Sequence, residues 1–294
     1  MATPGQWVAG ARPRTLPAAV APVLLGTAAA LLVGRADPLR AVLALLVSLA
    51  LQVAVNYAND YSDGVRGTDE VRAGPVRLVG QRLAAPGAVR RAAFAAFGVA
   101  GVVGLLLVVL SGAWLMLPLG ALAVLAAWRY TGGDNPYGYR GLGEVYVFVF
   151  FGLMATLGTE YTQAGSVSWF GLAGAVGVGA VASAILVANN LRDIPTDTEH
   201  GKRTLAVRLG DARTRALYVG LLAVSLLALA VMALGTPWAL LALPALPLAW
   251  RGASVVRAGT TGRGLVPVLA STGLYEVAYA ALALVGVAVA AALG

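Results

Sequence analysis

The stretch "AVLALLVSLALQVAVNYANDYSDG", residues 41–64, opens with fifteen residues whose only polar side chains are Ser48 and Gln52. Its last nine residues hold two Asn and two Asp. A second apolar run ends the same way, in "ANNLRDIPTDTEHGKRT", residues 188–204. Apolar runs of about 20 residues cross a bilayer as helices. Two such runs that each deliver amides and carboxylates to one end are the units from which the rest of the chain is read.

The whole chain fits that reading. It has 294 residues, of which 59% are hydrophobic and 12% charged, with a mean hydropathy of +0.81. Ordinary globular domains carry about 25% charged residues, so a lipid solvent is expected. Nine apolar segments follow one another, at roughly 16–34, 41–60, 92–110, 113–130, 144–162, 169–190, 216–235, 237–256 and 266–293. Their breaks are short, such as "SG" at 111 and "GTP" at 235. The expectation is an all-α integral membrane protein, a bundle of about nine transmembrane helices forming a single domain over residues 1–294. The first segment follows Arg12 and Arg14 as a signal peptide would, but it is long for one, and many spans follow it. It is read as a retained helix.

Charge sets the orientation. With nine spans, the N-terminus and the loops after helices 2, 4, 6 and 8 share a side, and of 21 Lys and Arg only Arg35 and Arg40 fall opposite. Positive charge stays on the cytoplasmic side, so the N-terminus is expected in the cytoplasm and the C-terminus outside. The net charge of +8 is thereby explained without nucleic acid. Trp114, Trp169 and Trp238 begin helices at the outer interface, as aromatic belts do. The chain has no cysteine and one histidine, His200, which excludes disulfides, thiolate metal sites and cysteine nucleophiles.

Asn56, Asn59, Asp60 and Asp63 fall at i, i+3, i+4 and i+7, one face of a helix continued through them. Asn189, Asp193 and Asp197 fall at i, i+4 and i+8, with Pro195 loosening the last turn. Grouped carboxylates repel unless a cation lies between them, and oxygen-only donors suit a hard cation such as Mg²⁺. Mg²⁺ takes one or two carboxylates and leaves its other positions to water and phosphates. Arg66 beside the first cluster, and Arg192, Lys202 and Arg203 beside the second, are placed to take the outer oxygens of a diphosphate. "HGKRT" is not a phosphate-binding loop of the G-x-x-x-x-G-K-[ST] kind, because Thr196 and Arg203 stand where Gly and Ser or Thr are needed.

The loop "YTGGDNPYGYRGLGE", residues 130–144, is read as a lid in which Tyr130, Tyr137 or Tyr139 offers π-faces and hydroxyls near a reacting cation. Tyr275, Glu276 and Tyr279 share an intramembrane face, where an ionisable group is functional by default. Glu160, near the outer surface, is read as structural. The recurrence of Gly171, Ala175 and Gly179 every four residues is read as a close helix contact.

"NYANDYSDGVRGTD" resembles the first Asp-rich motif, N-x-x-N-D-x-x-D, of the UbiA superfamily of intramembrane aromatic prenyltransferases. "NNLRDIPTDTEHGKRTLAVRLG" resembles its second. Within that superfamily, "ARPRTLPAAVAPVLLGTA", "RAGPVRLV" at 72–79 and "YTGGDNPYGYRGLGEVYVFVFFG" look like the branch that prenylates 1,4-dihydroxy-2-naphthoate in menaquinone biosynthesis. Asp134-Asn135 departs from that branch, where a Pro or a basic residue is expected. The resemblance implies that Asp60, Asp63, Asp193 and Asp197, helped by Asn56, Asn59 and Asn189, hold two Mg²⁺ on a polyprenyl diphosphate. It also implies that Arg66, Arg192 and Lys202 bind phosphate oxygens. Lys202, Tyr130 and Tyr139 join the four Asp as candidate catalytic residues. The implied reaction moves the polyprenyl group to the naphthoate with loss of diphosphate and CO₂, giving demethylmenaquinone at the cytoplasmic face of the inner membrane. Another aromatic acid, such as 4-hydroxybenzoate, is the alternative acceptor. A divalent-cation transporter is the competing class, but it would place its acids near the midplane.

Overall fold

The computed structural model describes residues 2–67 and 76–293. Thr68 and Asp69 of the first motif, Arg72, and the "RAGP" that opens the 72–79 match lie outside the described residues. Among those described, every regular element is helical. The chain runs through α1 (Pro4–Gly10), α2 (Pro17–Leu32), α3 (Pro38–Val65), α4 (Pro86–Ser111), α5 (Met116–Arg129), α6 (Gly143–Ala164), α7 (Trp169–Glu199), α8 (Leu205–Leu209), α9 (Asp211–Ala233), α10 (Pro237–Arg257) and α11 (Gly262–Leu293).

The starts follow local chemistry. Pro17, Pro38 and Pro86 occupy first-turn positions, where a missing N–H costs nothing. Asp37 caps α3 by accepting the amide of Arg40 at 3.1 Å, and Ser168 caps α7 by accepting that of Gly171 at 3.0 Å.

All nine expected segments are helical, but they are not equal. Among the described residues, seven are long and apolar enough to cross a membrane, and α1 with α2 qualifies only as a pair bent by 49°. The fourth segment, α5, has 14 residues. At about 1.5 Å per residue it spans only about 21 Å of a core about 30 Å thick.

The fifth segment, α6, changes its winding, with Phe148–Met154 forming a π-helix between two α-helical stretches. The eighth, α10, opens as a 3₁₀ turn over Pro237–Ala245, where Pro244 lacks the amide that an α-helix would use.

The bundle is built around α7. Buried residues make up 72% of its apolar stretch, and no other described span exceeds 33%. Its small residues make this possible. A Cβ on Gly152 of α6 would meet the Cα of Gly179 at 2.5 Å, and one on Gly177 would meet the Tyr279 hydroxyl of α11 at 2.7 Å. The Gly171–Ala175–Gly179 stripe therefore serves close packing, as its spacing implies.

Helices α2, α7, α9, α10 and α11 share one apolar core around Phe170, Tyr218 and Tyr279, while α3, α4 and the chain at 78–79 share another around Tyr57 and Phe97. At the end opposite the motifs, Arg40 donates to the carbonyls of Leu110, Thr162 and Gln163, at the C-terminal ends of α4 and α6. A cation there answers the partial negative charge of two helix ends, which explains one of the two basic residues placed against the general charge bias.

Candidate active site

Helix α3 does continue through the first cluster, and α7 runs through Pro195 and carries the second. Asn56, Asn59, Asp60, Asp63, Asp193, Asp197 and Lys202 are all buried. Buried polar groups need partners, and theirs define the site.

Tyr139 ties the two motifs together. Its hydroxyl donates to Asp63 at 2.5 Å, and its ring lies 4.5 Å from the Lys202 ammonium and 5.6 Å from the Arg66 guanidinium. Lys202 is itself 3.8 Å from the Asp63 carboxylate, and the Tyr139 carbonyl accepts the amide of Arg203 at 2.9 Å. The 130–144 loop therefore joins the α3 end to the chain that follows α7. Arg66 donates to the carbonyls of Thr131 and Gly133, which fastens the same loop from the other side.

The remaining first-motif groups reach other parts of the chain. Asn56 donates to the carbonyl of Ala11 at 2.8 Å and to the Thr15 hydroxyl at 2.9 Å. Asn59 accepts from the Thr131 hydroxyl at 2.8 Å. Asp60 accepts from the amides of Leu78 and Val79 at 2.7 and 3.1 Å. In the second motif, Arg192 grips both Asp193 oxygens at 2.7 Å and reaches the Asn189 carbonyl oxygen at 2.9 Å.

Beneath the motifs lies a chamber of about 550 Å³. Asn56, Asn59 and Asn189 line it at the polar end, with Tyr130, Tyr137 and Tyr146 along one wall. The rest is largely apolar, including Val47, Leu51, Val124 and Phe150. The Tyr137 and Tyr146 rings stack at 3.8 Å, and Tyr130 meets Tyr137 edge-on at 5.5 Å. Of the three tyrosines read from the loop, Tyr130 and Tyr137 face the chamber, and Tyr139 binds the motifs instead. Glu276 is fully buried with neither oxygen hydrogen-bonded, and it is not among the residues lining the chamber. Glu160 accepts the Ser168 amide at 2.8 Å, a structural corner as expected.

The donors here are carboxylate and amide oxygens, the set a hard cation prefers. Among the described residues, no three His, Cys, Asp or Glu side chains converge on one point. That fits Mg²⁺, which takes one or two carboxylates and completes its shell with substrate phosphates. Asp63 and Asp193 lie against Lys202 and Arg192, so each carboxylate already has a cationic neighbour.

Sequence reading missed Arg12, Arg14, Thr15, Gln52, Tyr146 and Phe150, all of which line the chamber. The basic pair was visible, but as a membrane flank. Tyr146 and Phe150 carried a signal, since they follow the lid in an aromatic run.

Comparison with known proteins agrees with this architecture. The family model described as the UbiA prenyltransferase family matches residues 19–264. A 1,4-dihydroxy-2-naphthoate octaprenyltransferase of Mycobacterium tuberculosis is 57% identical over 280 residues, covering 95% of this chain and 96% of that one. The enzyme of the same description from Escherichia coli is 41% identical over 251 residues, 82% of each chain. Among solved structures, a UbiA homolog from Aeropyrum pernix aligns with a TM-score of 0.67 at 17% identity, covering 92% of this chain and 97% of its own. A UbiA homolog from Archaeoglobus fulgidus bound to GPP and Mg²⁺ aligns at 0.63 and 13%, covering 96% and 99%. With both motifs on one apolar chamber in this fold, the chain belongs to the UbiA prenyltransferase family, as a multi-pass membrane enzyme.

Proposed function

We propose that this enzyme transfers a polyprenyl group from polyprenyl diphosphate to 1,4-dihydroxy-2-naphthoate, releasing diphosphate and CO₂ and forming demethylmenaquinol, the hydroquinone of demethylmenaquinone. The observation that carries the proposal is the Tyr139 junction, which sets Asp63 and Lys202 side by side, one helical turn beyond the Asn59 that lines an apolar, aromatic-walled chamber. The 57% identity to an enzyme of that description supports the choice of acceptor.

Asp63, Asp193 and Asp197, with amide oxygens of Asn56 and Asn189, would hold two Mg²⁺, which supply neutralising charge to the departing diphosphate. Arg192 and Lys202 exchange carboxylate partners for phosphate oxygens, with Arg66 beside them. As the allylic C–O bond breaks, its electron pair leaves with the diphosphate. Tyr130, Tyr137 and Tyr146 offer negative π-faces to the allylic cation, and the apolar lining keeps water from quenching it. The ring carbon bearing the carboxylate attacks the cation, and loss of CO₂ returns the C–C electron pair to the ring. The bias of Lys and Arg toward the motif-bearing end supports a site facing the cytoplasm.

Carboxyl-labelled acceptor tests this. With 1,4-dihydroxy-2-naphthoate the label is expected as CO₂ in step with product, and 4-hydroxybenzoate is expected to turn over little or not at all. A product that keeps its label, or efficient prenylation of 4-hydroxybenzoate, overturns the assigned acceptor.

A further inference from the structure

Asp60 sits between Asn59 and Asp63 in the first motif, yet its surroundings are unlike theirs. It is fully buried, and its two oxygens are taken by the backbone amides of Leu78 and Val79. Asp63 and Asp193, by contrast, lie against the ends of the long side chains of Lys202 and Arg192, whose rotatable stems allow them to turn toward an arriving phosphate. Backbone amides cannot swing aside. Turning Asp60 toward a metal would strip acceptors from two buried N–H groups, and a buried donor left unmade is costly.

The segment 76–84 is shaped to this seat. Gly64, one turn beyond Asp60, leaves room for Val79, whose Cβ would lie 2.5 Å from a Cβ on that glycine. Gly10 does the same for Leu78, whose Cδ1 would lie 2.8 Å from a Cβ there. Leu83 and Ala84 fold their amides back onto the Leu78 carbonyl at 2.8 and 2.9 Å. The same seat brings the buried Arg77 beside the cluster, where its charge and that of Arg12 act on Asp60. Arg12 in turn lines the chamber.

We propose that Asp60 is a positioning residue and not a metal ligand: its two carboxylate oxygens clasp the Leu78 and Val79 amides, and through them set Arg77 and the α1 end against the site. The proposal rests on the prenyl-transfer reading for what the site binds, but not for the clasp itself.

The test compares Asp60→Asn, Asp60→Ala and Asp63→Asn in the full-length protein in detergent or nanodiscs. Hydrogen exchange of the 76–84 peptide reads the clasp, and Mn²⁺ binding with inorganic diphosphate, counted by electron paramagnetic resonance, reads the metal site. Asp60→Ala is expected to speed exchange by about tenfold or more, because two buried amides lose their acceptor. Asp60→Asn, which keeps one acceptor oxygen, should fall between it and the parent. Mn²⁺ affinity should stay within about twofold in both, while Asp63→Asn weakens it by about tenfold or more. In turnover, Asp60→Asn should raise KM for the prenyl diphosphate about tenfold and leave kcat within about threefold, the pattern of displaced binding groups.

Unchanged exchange in the Asp60 variants overturns the proposal, as does a loss of Mn²⁺ affinity in Asp60→Asn equal to that in Asp63→Asn. If Asp60→Ala does not fold, Asp60→Asn carries every readout. If the parent protein takes up no Mn²⁺ with diphosphate, the metal assignment of the proposed function falls, and the exchange comparison still decides the clasp.

Discussion

The two acidic clusters look alike in sequence and are mounted differently. The α3 cluster is held by distant chain: Asn56 by Ala11 and Thr15, Asn59 by Thr131, Asp60 by Leu78 and Val79, and Asp63 by Tyr139. In the α7 cluster, Arg192 serves Asn189 and Asp193 on its own helix. A group braced from four directions fixes where loops lie. A group paired with a counter-charge on its own helix can pass that charge to an arriving phosphate. Both clusters should therefore couple activity to stability, but differently: loss of an α3 group releases distant chain, and loss of Asp193 strands a charge on its own helix.

The most severe test removes the metal from both clusters. Chelation with EDTA should abolish prenyl transfer, and added Mg²⁺ should restore it; full turnover in a rigorously metal-free assay would end the mechanism for either cluster.

Next come the carboxylates. Asp63→Ala and Asp193→Ala should each reduce kcat by about 10²–10³, the usual scale for removing one electrostatic stabiliser. Their melting temperatures should part company. Asp63→Ala leaves the buried Lys202 and the half-buried Tyr139 without that acceptor and should lower Tm by several degrees, since about 1 kcal/mol shifts a domain of this size by about 2–4 °C. Asp193→Ala strands the Arg192 guanidinium, only 7% exposed, and should lower Tm further, since removing one partner of a buried ion pair costs about 3–5 kcal/mol. Equal shifts in a thermal scan would erase the distinction.

A smaller effect is expected from Tyr139→Phe, which keeps the ring against Lys202 and removes the hydroxyl that bonds Asp63. Hydrogen bonds to charged groups are worth about 1.5–3 kcal/mol, so activity should fall by about tenfold or somewhat more, with a matching loss of stability. Parent-like turnover would show that the junction is incidental. The mildest change is Thr131→Val, which removes the Asn59 partner at nearly constant volume. It should cost about 1 kcal/mol of stability, with activity within about threefold of the parent.

Much of this was legible in the sequence because it is written in local periodicity. Nine apolar stretches, and Asp at i and i+3 or i+4, are signals carried within a turn or two. The clasp on Asp60 joins residues 18 and 19 positions apart through backbone amides, which have no side-chain signature. The bond from Tyr139 to Asp63 spans 76 positions, so the loop could be read as tyrosine-rich but not as the junction of both motifs. Arg12 and Arg14 showed their charge, but the chamber they border exists only once the bundle closes. The short α5 and the rewound α6 were hidden because hydropathy records how apolar a segment is and not how it is wound.

That rewinding has a consequence for how the gene can change. The α6 residues on the chamber include Tyr146, Phe150, Met154, Gly158 and Thr162, one every four positions. In a regular α-helix each residue turns about 100°, so steps of four drift by about 40° and the last of these would stand about 160° from the first. The wider π turn over Phe148–Met154 takes up part of that drift. Deleting one codon there would leave every later residue chemically intact yet rotate Gly158 and Thr162 by about 100°. The reading frame of this wall is thus counted in single residues, and a length change at its centre is less tolerable than a substitution anywhere along it.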